Sequence, residues 1–477
     1  LGDAAAGGPG ETGAAAAIRM SDQHYGGERM VSDYSDVLAY ISSYWKQLIR
    51  HSPQESGADT LLSLPHPYLI PSNRIMFQEM YYWDSFFTAL GLVGTQQEHL
   101  IVGLVENMAY LYQRYGLIPN ASRGHFLSRS QPPVFTKMIW LAFGVKRRRG
   151  DTDALQFLAK MMRLAELEHD TVWLGEAQPH FRLHNKEDGL SRYFDTNFLH
   201  DLAACESGWD HSPRCQGRWL DHLPVDLNAI LYLREMDFAE ADERHLGRPW
   251  RASLWRQRAK ARADMMNQLM WDEEQGFYFD VDFKSAVWKR AYGDDRADVE
   301  LPKDDGGVVK YRRSRIPTLA GFFPLWAKLA TREQAARMVK DWLPRFDLPG
   351  GLVTTLADDV DGKPLPAVTD LGERYQWMYP NGWAPLQWVV VKGLDNYDYF
   401  TEANAIRRKW CETCAIVFRR SDALWEKYNV AEVGGPPAGG LYDGEGNVHP
   451  FGSVPGFGWS NGVFVDFEQR LRPSDTL

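Results

Sequence analysis

The sequence predicts an all-α chain, folded as a single toroid of paired helices with its functional loops gathered at one end. Apolar residues recur at helical spacing through most of the chain. The segments between them are rich in Gly, Pro, Trp and Asp. No strand–helix alternation, Pro/Ser linker or fixed-period repeat breaks the pattern.

Residues 1–30 open with LGDAAAGGPGETGAAAA, a small-residue composition that predicts a flexible tail and leaves 31–477 as one domain. Ser32 to Arg50 and Tyr81 to Val93 carry helical spacing. Thr95 is placed to cap a helix running to Tyr115, with Leu100, Leu104, Val105, Met108 and Leu111 on one stripe and Gly116 as its stop. Ile118 to Pro133 reads as a polar loop, and Asp151 is placed to cap the next helix but one. Further helices are expected over Pro224–Glu240, Arg251–Trp271, Ile316–Leu329, Arg332–Leu343, Trp383–Lys392 and Tyr399–Lys427. Only Gly276 to Phe283, with aromatic residues alternating, reads as a strand, so at most a short β-hairpin is expected.

Composition excludes several classes. With 477 residues, 44% of them hydrophobic, the chain can bury a large core without cross-links. A formal charge of -10 argues against a nucleic-acid footprint. The one basic run, Lys146 to Arg149, reads as cations on the negative end of a helix dipole before Gly150. Four cysteines make no disulfide framework, and Cys411 with Cys414 lacks the second pair that zinc needs. No window is apolar enough for a membrane span. The opening residues lack the basic and Leu-rich parts of an export signal, so a cytoplasmic protein is expected. No metal or organic cofactor is expected.

Six loops concentrate polar chemistry beside aromatic rings. They are Phe77 to Phe87 (with Trp83 and Asp84), Ile118 to Pro133 (Asn120, Arg123, Arg129, Gln131) and ESGWDHSPR around Gly208 and Asp210. The others are Tyr375 to Pro385 (Trp377, Asn381, Trp383), Trp425 to Val430 (Glu426) and Gly456 to Gly462 (Trp459). Sugars require this mixture: their CH faces pack on rings, while their hydroxyls need directional amide, acid and guanidinium partners. Asp210 beside an indole suits a carboxyl that keeps its proton, and Glu426 beside Lys427 suits one kept ionised.

At these residues the chain resembles the trehalases, an inverting glycoside hydrolase family built on an (α/α)6 barrel. YYWDSFFTALGL, VENMAYLYQRYGLIPNASRGHFLSRSQPP, ESGWD, QWMYPNGWAPLQ, EKYNV and GFGWSNGV follow the family order from about Phe77 to Phe467. The resemblance implies Asp210 as general acid and Glu426 as general base, roughly 6.5 to 9.5 Å apart with a water between sugar and base. It implies a sugar pocket shaped by Trp83, Asp84, Asn120, Arg123, Gln131, Gly208, Trp377, Asn381, Trp383 and Trp459. A small sugar is the implied partner, with no nucleic acid and no membrane.

Departures from the family pattern bear on the substrate. Met76 stands at the place of an arginine, Met378 at that of an aspartate and Leu441 at that of a glutamate. An Arg-Pro-Glu-Ser-Tyr segment before ESGWD is missing. The acid/base pair is retained while the substrate grip is rewritten. Trehalose is the first expected substrate, and glucosylglycerate or mannosylglycerate the second, with Arg74, Arg123 or Arg192 to meet the carboxylate. A silent carbohydrate-binding protein and a retaining glycosidase, its carboxyls roughly 5 to 5.5 Å apart, are the remaining alternatives.

Overall fold

The computed structural model describes residues 33–54, 60–74, 77–178, 181–368, 374–437 and 453–471. The expected tail, Met76 and Leu441 lie outside the described residues. From Asp33 onward the described residues belong to one unit.

The helices, in order, are α1 (Ser35–Leu48), α2 (Tyr82–Leu90), α3 (His99–Tyr115), α4 (Phe135–Arg149), α5 (Ala154–Glu168), α6 (His200–Ser207), α7 (Val225–Glu240) and α8 (Pro249–Leu269). After them come α9 (Ser285–Tyr292), α10 (Phe323–Trp326), α11 (Arg332–Arg337), α12 (Leu343–Phe346), α13 (Ala384–Asn396), α14 (Phe400–Ser421) and α15 (Gly458–Leu471). Packing sorts them into two layers. An inner ring runs α2, α4, α7, α10, α13, α15 and closes where α15 packs on α2. Outer helices sit against it in pairs, among them α3 on α4, α8 on α7 and α14 on α13 and α15. This is the (α/α)6 barrel.

Burial explains the layering. Every residue of α2 is buried, and so are most of α7, α13 and α15, whereas α1, α3 and α5 keep a polar face. A helix that is apolar all round belongs inside; an amphipathic one belongs outside. The closing contact needs a small residue: a Cβ on Gly462 would strike the Phe87 carbonyl and lie 2.9 Å from the Thr88 Cα.

Several boundaries differ from expectation. Glu98 and Asp153, neither making a side-chain capping bond, precede α3 and α5 in place of Thr95 and Asp151. Asp151 instead pairs with Lys146 at 3.2 Å, a tertiary demand that outweighs capping. The basic run does end α4, before Gly150 in left-handed conformation. Strand content exceeds the single strand expected. Phe277–Tyr278 and Val281–Asp282 belong to different pairings, and His222–Leu223, Val281–Asp282, Val308–Arg313 and Val299–Pro302 form a four-stranded antiparallel sheet in that order.

Candidate active site

The site's loops lead from the outer layer into inner helices α2, α4, α7, α13 and α15, so they meet at the inner helices' N-terminal ends. Unpaired N–H groups and the positive dipole ends favour carboxylates at that rim. The loops enclose a cavity of about 250 Å³.

The start of α2 supplies Tyr81, Trp83 and Asp84. The Trp83 N–H donates to Gln131 Oε1 at 3.0 Å, which ties α2 to the loop before α4. Burial pushes the Asp84 carboxyl up to about 8, and the charges of Glu426 and Asp210 add to it. The α3–α4 loop supplies Asn120, Phe126, Arg129 and Gln131. The Asn120 amide braces two loops by donating to the carbonyls of Cys205 (3.0 Å) and Ser130 (3.2 Å). The Arg129 guanidinium reaches Asp195 at 3.3 Å, and its Nε is buried without a hydrogen-bond partner.

Asp210 follows α6, which ends at Gly208 with φ +73°. A Cβ there would lie 2.7 Å from the Trp83 ring, so conformation and space both require glycine. Behind Asp210, Trp209 stacks on Trp377 at 5.5 Å and lies 4.7 Å from the Arg214 guanidinium. Arg214 is fully buried and grips Asp226 and Asp280, each through bonds as short as 2.6 Å. That clamp pins the loop to the first turn of α7. His211 adopts φ 55°, and its carbonyl accepts from the N–H groups of Gln376 (2.9 Å) and Trp377 (3.3 Å). The Asp210 loop is thereby sewn to the loop before α13.

Glu426 does not sit on a helix, as the expected run to Lys427 required. Helix α14 stops at Ser421, where Asp422 turns left-handed at φ 56°. Residues Lys427–Asn429 then pair antiparallel with Asn381–Trp383, setting Lys427 opposite Trp383. The Glu426 N–H donates to the Val454 carbonyl (2.8 Å), and Trp459 Nε1 donates to the Glu426 carbonyl (2.9 Å). Burial raises the Glu426 carboxyl; Lys427, 3.3 Å from Oε2, opposes the rise and Asp210 adds to it. Gln376 Nε2 donates to Asp210 Oδ2 at 3.0 Å, and Lys427 Nζ donates to Gln376 Oε1 at 3.2 Å.

The structure therefore gathers Trp83, Asp84, Asn120, Gln131, Gly208, Asp210, Trp377, Trp383, Glu426 and Trp459 around one cavity. Trp377 and Trp383 lie face to face, 3.8 Å apart and 4° from parallel. Arg123 and Asn381 are not among the lining residues. Arg123 is drawn off by the buried Glu79 carboxylate, and the Asn381 amide donates to the Gln376 carbonyl at 2.8 Å. Arg74 and Arg192 stay outside as well; Arg192 donates to the carbonyls of Phe181 and Leu220. Met378 is buried and is not among the lining residues. Phe77, Tyr81, Phe126, Arg129, Cys205 and Phe457 also line it. Most lie inside the motif loops, where their density of rings is the signal; Cys205, on α6, carries none.

A sequence model of the trehalase family matches residues 14–198 and 190–471. The periplasmic trehalase of Pseudomonas aeruginosa is 32% identical over 480 residues, covering 92% of this chain and 77% of the relative. The periplasmic trehalase of Escherichia coli O1:K1 is 30% identical over 491 residues, covering 94% and 77%. Among solved structures, neutral trehalase Nth1 from Saccharomyces cerevisiae superimposes with a TM-score of 0.68 at 26% identity, covering 91% of this chain and 80% of that one. A GH63 mannosylglycerate hydrolase from Thermus thermophilus shares the fold, with a TM-score of 0.58 at 17% identity and coverage of 91% and 100%. The cytoplasmic expectation is overturned by the two bacterial relatives, both periplasmic by name. That expectation rested on the composition of the opening residues alone, and the relatives' names outweigh it. From its family match and these relatives, the chain belongs to the trehalase family of glycoside hydrolases.

Proposed function

We propose that the chain hydrolyses trehalose by general acid/base catalysis with inversion, Asp210 acting as the acid and Glu426 as the base. The observation that carries this reading is that both carboxyls line the same ring-walled cavity. The Asp210 proton passes to the glycosidic oxygen as its bond to the anomeric carbon breaks. A water attacks that carbon from the opposite face and gives its proton to Glu426. The net change is addition of one water, and solvent resets both carboxyls. Trp83, Trp377, Trp383 and Trp459 line the cavity and offer apolar ring surface to the sugar's CH groups. Asp84, held protonated to about 8, can both donate to and accept from a hydroxyl at neutral pH. The names of the bacterial relatives support a periplasmic enzyme.

Hydrolysis of a glycerate glycoside is a second reading, favoured by Arg129. Its guanidinium in the cavity wall, with Nε unpartnered, suits a substrate carboxylate. Incubating the protein separately with trehalose, glucosylglycerate and mannosylglycerate, and measuring released sugar, tests both. Trehalose consumed fastest supports the first reading. Trehalose inert beside a cleaved glycerate glycoside replaces it with the second.

A further inference from the structure

Lys427 is buried, and its ammonium group has only donors to offer. It lies 3.3 Å from Glu426 Oε2, 3.2 Å from Gln376 Oε1 and 5.1 Å over the Trp383 ring. Because an ammonium cannot accept, the Gln376 atom that faces it must be the carbonyl oxygen. The amide nitrogen then faces Asp210 and donates to Oδ2 at 3.0 Å. An oxygen accepting that bond cannot direct its own proton along the same line. Resting on the acid/base reading above, we propose that Lys427 and Gln376 are positioning residues, which fix the acid's proton on Asp210 Oδ1 and link the charge state of the acid to that of the base.

The surroundings fix the backbone that carries both side chains. The Gln376 main-chain carbonyl accepts from Asn381 Nδ2 (2.8 Å) and Trp383 Nε1 (3.3 Å), and its main-chain N–H donates to the His211 carbonyl (2.9 Å). Lys427 is fixed by strand pairing opposite Trp383. Among the described residues, the titratable or charged groups that share the cavity wall with the two carboxyls include Asp84, Tyr81, Cys205 and Arg129. Of the two cations, Arg129 is engaged by Asp195, and Lys427 is the one bonded to the base.

The test compares wild type, Lys427→Met, Lys427→Arg, Gln376→Met and Asp210→Asn on two substrates, trehalose and α-D-glucosyl fluoride. Fluoride departs with little help from a proton, so the second substrate bypasses the acid. Lys427→Met is expected to lower kcat on both substrates by about 10²-fold. It also moves the acidic limb of the kcat/KM profile to higher pH, because the base has lost the cation that opposes its burial. Lys427→Arg returns that limb towards its original position. Gln376→Met leaves the acidic limb in place and moves the basic limb to higher pH, since ionised Asp210 has lost a donor. Its loss, about tenfold or more on trehalose, is much smaller on the fluoride.

A packing role would slow both substrates alike and move neither limb. That result, with Asp210→Asn inactive on trehalose, overturns the positioning roles and leaves the acid/base pair standing. Asp210→Asn as active as wild type overturns both. If Lys427→Met fails to fold, the split between substrates in Gln376→Met decides alone.

Discussion

Two sets of buried carboxyls in this barrel meet opposite fates. Between the helices, each lies against a cation. Glu168 lies 2.7 Å from Arg234, Glu235 lies 2.9 Å from Arg262 with the His169 imidazole 3.3 Å away, and Arg214 serves both Asp226 and Asp280. Burial alone would raise Glu235 and Asp280, but the neighbouring charges win: Asp280 is lowered and Glu235 is held down at about 2. At the cavity, the buried Asp84 and Glu426 share the wall with Asp210, and Lys427 bonds to Glu426. There burial wins: Asp84 rises to about 8 and Glu426 rises too. Degree of burial does not separate the two sets; the supply of positive charge does. The barrel neutralises its acids between the helices and leaves Asp84 and Glu426 under-compensated at the cavity, the arrangement that the proposed proton transfers require.

The largest effects should separate the two sets cleanly. Asp210→Asn and Glu426→Gln should each lower trehalose turnover by about 10²–10⁴-fold. Neither should lower Tm by much; in Glu426→Gln the relief of like-charge crowding offsets the partner that buried Lys427 loses. A large fall in Tm with either would erase the contrast. Arg214→Met should do the reverse. It strands Asp226 and Asp280 in the interior and should cost about 3–5 kcal/mol in denaturant unfolding. A loss below about 1 kcal/mol would mean that this clamp is no stronger than a surface pair.

The two sets should also give opposite pH slopes of stability. His169 is lowered by burial from 6.5 to about 4, so it is neutral when folded. Its contribution is present above 6.5 and is lost as pH falls from 6.5 towards 4. Glu235, lowered from 4.5 to about 2, extends the loss as pH falls further. Asp84 works the other way. Raised from 3.8 to about 8, it contributes fully below 3.8, and that contribution is lost as pH rises towards 8. Unfolding measured from pH 4 to 9 should show Asp84→Asn removing the alkaline-side loss while keeping the acid-side loss. An unchanged alkaline slope would remove Asp84 from the under-compensated set. The smallest effect concerns the seam beside the cavity: Gly208→Ala should cost about 1–3 kcal/mol through its left-handed backbone and should push Trp83 out of the wall.

The loops of the site were legible in the sequence because each carries its rings and polar groups within a few residues of one another. Trp83 with Asp84, Gly208 with Asp210 and Trp377 with Trp383 are local facts that folding leaves adjacent. Partner choice was not legible. Nothing near Arg123 in sequence announces Glu79, and nothing near Gln376 announces that its two ends reach Lys427 and Asp210. Helical periodicity also ran past its end at Asp422, because one residue in left-handed conformation stops a helix without altering the apolar pattern. The four-stranded sheet was hidden for a related reason: several of its strands are two residues long, too short to show a period.

The most direct test of an acid and a base acting across one cavity is the anomeric form of the first-formed glucose, followed by proton NMR before mutarotation during trehalose hydrolysis. Inversion between Asp210 and Glu426 predicts α- and β-glucose in equal amounts, the β-anomer coming from the attacked ring. Release of the α-anomer alone would contradict it.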